Sequence, residues 1–207
     1  MTAPPIIGLT GKLGSGKDTV LERIQTLYPG APDLDSDFRQ ASFAATLKNM
    51  ACALFDITRE QLEKLKRRPN VEISVVDHDE FIDMDTPRSY AQMDFRTFLQ
   101  RLGTEAGRDI LGENFWVDQA FVKIDYWEER FSPRMTHVFT DVRFENEAQA
   151  IIDRGGEIWL IEGPDEDTGS HASEQGLPDW MINVVIVNTA RDDDFRALDQ
   201  QIRGILG

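Results

Sequence analysis

The sequence predicts an α/β fold in which a mostly parallel sheet carries helices on both faces. Three observations support this prediction. Short apolar runs alternate with segments of helical spacing, a glycine-rich turn joins the first run to the first helix, and no repeat, low-complexity segment or linker interrupts the pattern. Strands that alternate with helices form parallel sheets. Ligands of such sheets bind beyond the carboxyl ends of the strands.

The first strand and helix flank the glycine-rich turn. Residues 6–9 are apolar, two prolines precede them and Gly11 follows, which predicts a buried strand. Apolar residues then recur at helical spacing from Val20 to Tyr28, and Pro29 with Gly30 ends that pattern. The turn at 11–17 therefore lies between a strand and a helix.

This turn has the spacing G-x-x-x-x-G-K, from Gly11 to Lys17. Glycines let the backbone curl so that its N–H groups point at an anion, and the helix N-terminus adds its dipole. Lys17 adds a point charge for the β- and γ-phosphates of a nucleotide. The dinucleotide fingerprint G-x-G-x-x-G does not fit. The alternative is a glycine-rich turn with no chemical role.

Asp18 stands where a serine or threonine commonly follows the lysine. A carboxylate can hold Mg²⁺ directly or through water, and it is also favoured at a helix N-terminus. The alternative is that Asp18 only caps the helix. Thr19 offers a hydroxyl to a phosphate.

The middle of the chain predicts a short strand at 40–43 and a helix at 44–55. Residues 58–61, Thr-Arg-Glu-Gln, resemble a capping box and open a second, basic helix that ends at Pro69. The stretch 71–87 predicts a hairpin or a mobile flap. One apolar face is predicted for the helix at 44–55, made of Leu47, Met50, Ala51 and Leu54.

The remaining elements continue the alternation of strands and helices. A helix is predicted from residue 93, at least at its start, and an aromatic-rich helix from 113 to 131. The later elements are a strand at 136–142, a helix at 144–156, strands at 157–163 and 182–189, and a helix at 192–207.

The composition limits the class of protein. A net charge of −15 argues against stable nucleic-acid binding, so the positive potential that a nucleotide needs must be local. Cys52 is the single cysteine, which excludes a disulfide framework and a thiolate zinc site. No apolar run has membrane-spanning length and no signal-peptide pattern is seen, so a cytoplasmic protein is expected.

Asp141 and Arg143 form a second candidate site. Asp141 ends an apolar strand, where nucleotide-binding proteins of this class place an acid for Mg²⁺. Arg143 can point into the same cleft, and a guanidinium matches phosphate oxygens two at a time. The alternative is an Asp–Arg pair that fixes the turn between strand and helix. The phosphate-binding turn in the same sheet favours the functional interpretation.

Five segments together resemble the phage-type deoxynucleoside monophosphate kinases: 8–20, 43–55, 96–117, 141–151 and 171–176. They read GLTGKLGSGKDTV, FAATLKNMACALF, RTFLQRLGTEAGRDILGENFWV, DVRFENEAQAI and HASEQG. The resemblance implies a P-loop kinase fold and transfer of the ATP γ-phosphoryl group to a deoxynucleoside 5′-monophosphate, with Mg²⁺. It further implies one domain over 1–207 with a helical substrate-binding insertion at roughly 38–130, and a host cytoplasm if a phage encodes the chain.

The resemblance also suggests roles for individual residues. Lys17, Arg143 and Asp141 are the candidate catalytic residues, and Asp18 and Asp141 the candidate metal ligands. The ATP site is assigned to Gly11, Lys12, Gly14, Ser15, Gly16, Lys17, Asp18, Thr19, Asn188 and Thr189, the last two near the adenine. The acceptor site is assigned to Arg39, Gln100, Arg101, Glu105, Arg108 and Trp116, with Trp116 stacking on the base.

Several alternatives stay open on the sequence alone. The first stretch also resembles dephospho-coenzyme A kinase, and a ribonucleotide kinase or a non-catalytic nucleotide-binding module would use the same turn. The acidic loop at 162–179 has no arginine, unlike the phosphate-covering lid of many small-molecule kinases. The sequence does not decide between a monomer and a homodimer, or which bases are accepted.

Overall fold

The computed structural model describes residues 5–30, 37–68, 72–76, 90–130, 135–163, 176–188 and 195–207. Strands and helices alternate over most of this range, as predicted. The strands are β1 (Ile6–Thr10), β2 (Phe38–Ala41), β3 (Glu72–Val76), β4 (Tyr90–Asp94), β5 (Thr136–Phe139), β6 (Glu157–Glu162) and β7 (Val184–Val187). The α-helices are α1 (Lys17–Leu27), α2 (Ala45–Phe55), α3 (Arg59–Lys66), α4 (Phe95–Arg101), α5 (Phe115–Arg130), α6 (Glu145–Asp153) and α7 (Arg196–Leu206).

The chain divides into two compact units, one of residues 1–43 and 117–207 and one of residues 44–116. The first unit contains a five-stranded sheet in the order β2-β5-β1-β6-β7, and all its pairs are parallel. This confirms the predicted fold class. The prediction of one domain with an insertion near 38–130 stays a prediction.

Both faces of this sheet are covered by helices. Side chains alternate along a strand, so Val138 packs on the face of α1 and α7 while its neighbour Phe139 packs on the face of α5 and α6. Near-continuous burial of β1 and β5 is typical of strands with helices on both sides. The carboxyl ends of these strands therefore form a rigid edge on which a site can be built.

Of the strand boundaries that differ from the prediction, two bear on the site. β2 begins at Phe38 because it pairs with β5 from Thr136 onward, whereas local spacing suggested 40–43. β5 ends at Phe139, two residues before Asp141. Asp141 therefore lies on the turn that follows the strand.

β7 lies at the edge of the sheet, and α7 partly covers that edge. The Gln201 amide donates from Nε2 to the Val187 carbonyl at 2.9 Å and accepts from the Val187 N–H at 3.0 Å. Both backbone groups of Val187 are thus satisfied by one side chain.

The second unit is mainly helical. Its core is formed by Ala51, Leu62, Phe95 and Leu99 from three helices. Within the described residues, no helix is long and apolar enough to cross a membrane.

The capping box predicted at 58–61 is confirmed. Thr58 Oγ1 accepts from the Gln61 N–H at 3.2 Å, and Gln61 Oε1 accepts from the Thr58 N–H at 2.7 Å. The predicted apolar face of α2 is only partly right. Ala51 is buried, but Met50 and Leu54 are exposed.

Glu63 on α3 joins two lysines. Its carboxylate accepts from Lys48 and from Lys66, both at 2.9 Å. Partial burial alone would raise the pKa of Glu63, but the two hydrogen bonds outweigh it and lower the pKa from 4.5 to about 2.

β3 and β4 form an antiparallel pair, from Glu72 opposite Asp94 to Val76 opposite Tyr90. The first strand fits the predicted hairpin, whereas β4 was not predicted, because the helix was expected to begin at residue 93 and in fact begins at Phe95. Residues 77–89 lie outside the described part of the chain. Asp94 then caps α4 by accepting from the Thr97 N–H at 2.9 Å.

The sequence predicts helix at least at the start of this segment, and α4 continues as a π-helix from Leu102 to Leu111. Trp116 packs against it and donates from Nε1 to the Gly103 carbonyl at 2.8 Å. A side chain at Gly107 would collide with the indole ring, so only glycine fits there. π-helical segments are rare and are frequent at functional sites.

Candidate active site

The turn between β1 and α1 has the backbone of a phosphate-binding loop. Gly11, Gly14 and Gly16 have φ of 140°, 82° and 89°, where side chains are strained. A Cβ on Gly11 would collide with the Ile161 carbonyl, and one on Gly16 would collide with the Asn188 amide. Glycine is thus required at Gly11 and Gly16 for two reasons: the backbone there has positive φ, and there is no room for a Cβ.

Lys17 folds back over this loop. Its Nζ donates to the carbonyls of Gly11 at 2.7 Å and Lys12 at 2.8 Å, and it lies 3.4 Å from Ser15 Oγ. Burial lowers the pKa of Lys17, the positive charge of Arg143 lowers it further, and the negative charge of Asp18 opposes both. The charge of Arg143, which was predicted from a separate segment, therefore acts on Lys17, and both residues follow adjacent parallel strands of the sheet.

The three other polar residues of the loop differ in exposure. Lys12 and Asp18 are exposed, and Thr19 is half-buried. Asp18 lies in the first turn of α1. A negative charge there is stabilised by the helix N-terminus, and it also favours the charged form of Lys17. This electrostatic contact gives Asp18 a physical reason to stand beside Lys17.

Asn188 supports the loop from beneath. It is 8% exposed, and its Nδ2 donates to the Ser15 carbonyl at 3.0 Å while its backbone N–H donates to the Glu162 carbonyl at 2.7 Å. Its Oδ1 has no hydrogen-bond partner among the described residues. The sequence assigns Asn188 to the adenine site, whereas the structure shows it binding the loop backbone. Thr189 lies outside the described residues.

The turn after β5 carries Asp141 and Arg143. Asp141 accepts from Ser42 Oγ at 2.7 Å and from the Phe43 N–H at 3.1 Å, so it fixes the turn between β2 and α2. The side chain of Arg143 is exposed. The Asp–Arg pair stays a prediction, and these two hydrogen bonds join Asp141 to residues that follow β2.

Glu147 is a residue of this turn that sequence analysis missed. It lies in the first turn of α6, and its buried carboxylate accepts from the backbone N–H groups of Arg143 and Phe144. A glutamate three residues after a helix start is half of a capping-box signature. Phe144 at the start lacks the usual hydroxyl or carboxylate, which hid the pattern.

Four predicted acceptor residues lie in the second unit, on α4 and the π-helix: Gln100, Arg101, Glu105 and Arg108. The first three are exposed and Arg108 is half-buried. Arg101 Nε donates to both carboxylate oxygens of Glu105 at 2.9 Å.

Trp116 does not have the geometry of a base-stacking residue. It is 5% exposed, its ring lies against Gly107, and its N–H is bound to the Gly103 carbonyl. Its predicted stacking role needs an exposed ring face, so the structure argues for a supporting role instead.

Arg39, the other predicted acceptor residue, lies on β2 in the first unit. Its guanidinium stacks on the exposed ring of Trp127, 4.3 Å from the ring centroid. This cation–π contact gives Arg39 a structural function that its sequence position did not suggest.

Parallel strands that end in a glycine loop, with a lysine folded over that loop at a helix N-terminus, define a P-loop nucleotide-binding protein. The family model described as deoxynucleotide monophosphate kinase matches residues 38–202, well over half of the chain. The chain belongs to this family and is a kinase of deoxynucleotide monophosphates, as the resemblance implied. The match begins after the phosphate loop, so the loop is independent evidence. No curated protein matches the chain.

Proposed function

We propose that the protein transfers the γ-phosphoryl group of ATP to the 5′-phosphate of a deoxynucleoside monophosphate. The observation that carries this proposal is Lys17 folded over the phosphate loop, with Arg143 on the turn that follows the adjacent parallel strand β5. The positive charge of Arg143 lowers the pKa of Lys17, and a polyphosphate bound by both cations would offset their repulsion. The family supplies the acceptor class, and the loop supports ATP as the donor.

The chemistry needs charge neutralisation more than proton transfer. An oxygen of the acceptor phosphate forms a bond to the γ-phosphorus as the bond from that phosphorus to the β–γ bridging oxygen breaks. The products are ADP and the deoxynucleoside diphosphate. The attacking oxygen is already anionic, so no strong base is required. The rate enhancement comes from positioning the two polyanions and from stabilising the charge that moves during transfer.

The loop residues are assigned to ATP. The backbone N–H groups of Gly14, Ser15 and Gly16 would hold the β-phosphate, and the Thr19 hydroxyl another phosphate oxygen. Lys17 exchanges its contacts with the loop carbonyls for the phosphates. Lys12, which is exposed at the loop tip, extends toward the γ-phosphate or the acceptor.

Mg²⁺ fits the donors present. The described residues contain no group of three or more His, Cys, Asp or Glu side chains placed to hold a metal. Mg²⁺ in kinases commonly takes one or two carboxylates and completes its shell with phosphates and waters. Asp18 and Asp141 offer such carboxylates, the second already oriented by Ser42 and Phe43. When bound, the ion would neutralise charge on the phosphates.

We assign acceptor binding to the second unit, as its substrate-binding part. Arg101 is available because its pair with Glu105 is exposed, and such pairs on a helix contribute only about 0.3–0.5 kcal/mol. An acceptor phosphate can therefore replace Glu105 as its partner at small cost. We assign Glu105 and Gln100 to the base or sugar, and Arg108 is a second candidate for the phosphate.

The test is a product assay with Mg-ATP and each of the four deoxynucleoside monophosphates. Lys17→Ala should reduce turnover by at least about two orders of magnitude, because it removes a charge that acts on the transferred group. Lys64→Ala is the matched control, since Lys64 forms an exposed pair on α3 and should leave turnover unchanged. Wild-type protein that converts none of the four acceptors would refute the proposal.

A further inference from the structure

Glu147 stands out as a buried charged side chain that sequence analysis gave no role. It is 4% exposed. One oxygen, Oε2, accepts from the Arg143 N–H at 2.8 Å and from the Phe144 N–H at 3.2 Å. Burying a carboxylate is costly unless it is hydrogen-bonded, so these contacts have a structural purpose.

These contacts fix the backbone from which the Arg143 side chain departs. The turn from Asp141 to Phe144 has no regular secondary structure, so hydrogen bonds must set its path. Asp141 anchors the beginning of the turn through Ser42 and Phe43. Glu147 anchors its end, where the helix start at Phe144 offers no side-chain acceptor of its own.

The position of Arg143 matters because its turn follows β5, which lies parallel and next to β1, so it leaves the same edge of the sheet as the phosphate loop. The charge of Arg143 also lowers the pKa of Lys17. An exposed arginine has many rotamers, and each is lost at an entropic cost when it must meet one phosphate geometry. A fixed backbone limits where the guanidinium can reach. Small displacements of a catalytic charge have large effects on rate.

We propose that Glu147 is a positioning residue for phosphoryl transfer: its carboxylate holds the backbone of Arg143 so that the guanidinium meets the transferred group. This rests on the proposed function, with Arg143 as the candidate catalytic arginine named in the sequence analysis. The contact of Glu147 with the Arg143 backbone affects the rate of transfer. ATP binding depends on the phosphate loop and is not affected by this contact.

The experiment measures kcat and the KM for ATP in variants of Glu147. Glu147→Ala removes both contacts, and Glu147→Asp shortens the side chain while keeping its charge. Each should lower kcat by at least about tenfold with the KM for ATP within about twofold. Glu147→Gln keeps an acceptor oxygen and should retain more activity than either. Glu145→Gln is the matched control, because Glu145 is exposed on the same turn of α6, and it should behave as wild type.

A double-variant cycle separates positioning from general stabilisation. If Glu147 acts through Arg143, then Glu147→Ala added to Arg143→Ala should lower kcat by less than about twofold more. Effects that multiply, or a normal kcat in Glu147→Ala, would overturn the proposal. Should Glu147→Ala fail to fold, Glu147→Asp carries the same cycle.

Failure of the underlying function gives a different result. Wild-type protein without kinase activity would refute the proposed function itself. A normal kcat in Arg143→Ala would refute the catalytic role of Arg143 and, with it, the positioning role of Glu147. An active wild type, a slow Arg143→Ala and a normal Glu147→Asp would overturn only the role of Glu147.

Discussion

The contacts of Asn188 allow a specific prediction about how a substitution there changes the affinity for ATP. Its Nδ2 binds the Ser15 carbonyl under the phosphate loop and lies against Gly16, whose positive φ the loop requires. Asn188→Ala removes the contact without touching any residue above the loop. We therefore expect weaker ATP binding and an unchanged KM for the acceptor.

The size of the effect follows from two opposing contributions. Leaving the Ser15 carbonyl without its donor costs about 1–3 kcal/mol. The same truncation removes Oδ1, which is buried without a partner among the described residues, and so recovers part of that cost. A net loss of about 1 kcal/mol lowers the population of the correctly formed loop by up to about fivefold, and the apparent Kd for ATP rises by the same factor.

The assay is calorimetric titration with ATP, together with the KM for each substrate. Asn183→Ala is the matched control, because Asn183 accepts from the Ile158 N–H at 2.8 Å at the other end of β7. It should lower the thermal midpoint and leave the Kd for ATP unchanged. Asn188→Asp should be worse than Asn188→Ala, since it places a negative charge under the phosphates. An unchanged Kd in Asn188→Ala, or an equal loss in Asn183→Ala, would refute the reasoning.

Three further predictions concern stability. Gly16→Ala should lower Tm far more than Gly14→Ala, because both have positive φ but no described atom lies within 4 Å of a Cβ on Gly14; equal Tm losses would contradict this. Glu63→Gln should lower Tm at pH 7, because the lowered carboxyl pKa gives a stabilisation that is complete above about pH 4.5. The difference from wild type should shrink as pH falls from 4.5 toward 2, and a difference at pH 2 as large as that at pH 7 would show another cause. Trp116→Phe keeps the ring over the π-helix but loses the hydrogen bond to Gly103, so urea unfolding should show a loss of about 1 kcal/mol, with the exposed Trp180→Phe as a silent control.

The phosphate loop could be predicted because its requirements are local. Positive φ at Gly11 and Gly16 and a lysine at the helix start all appear within seven residues. The parallel sheet could be predicted for a similar reason, since β1, β5 and β6 are apolar runs separated by helices. The predicted strand boundaries were less accurate where pairing with a neighbouring strand sets them. β2, for example, begins at Phe38 because that residue pairs with Thr136 of β5.

The supporting residues could not be predicted because distant segments determine their contacts. Asn188 meets Ser15 across 173 positions of sequence, and Ser42 meets Asp141 across 99. Arg39 has the residue type of a phosphate ligand, and only the fold places Trp127 over it. The π-helix is equally hidden, since helical spacing alone does not reveal that Trp116 packs on Gly107.

The side-chain amide of Gln201 affects whether another chain can add a strand to the edge of the sheet at β7. An uncovered outer strand invites a foreign chain to add itself to the sheet, which is a common beginning of aggregation. Gln201 occupies both backbone groups of Val187, so an incoming chain would have to displace it before it could register there. A single side chain thus occupies two backbone groups that an added strand would otherwise need.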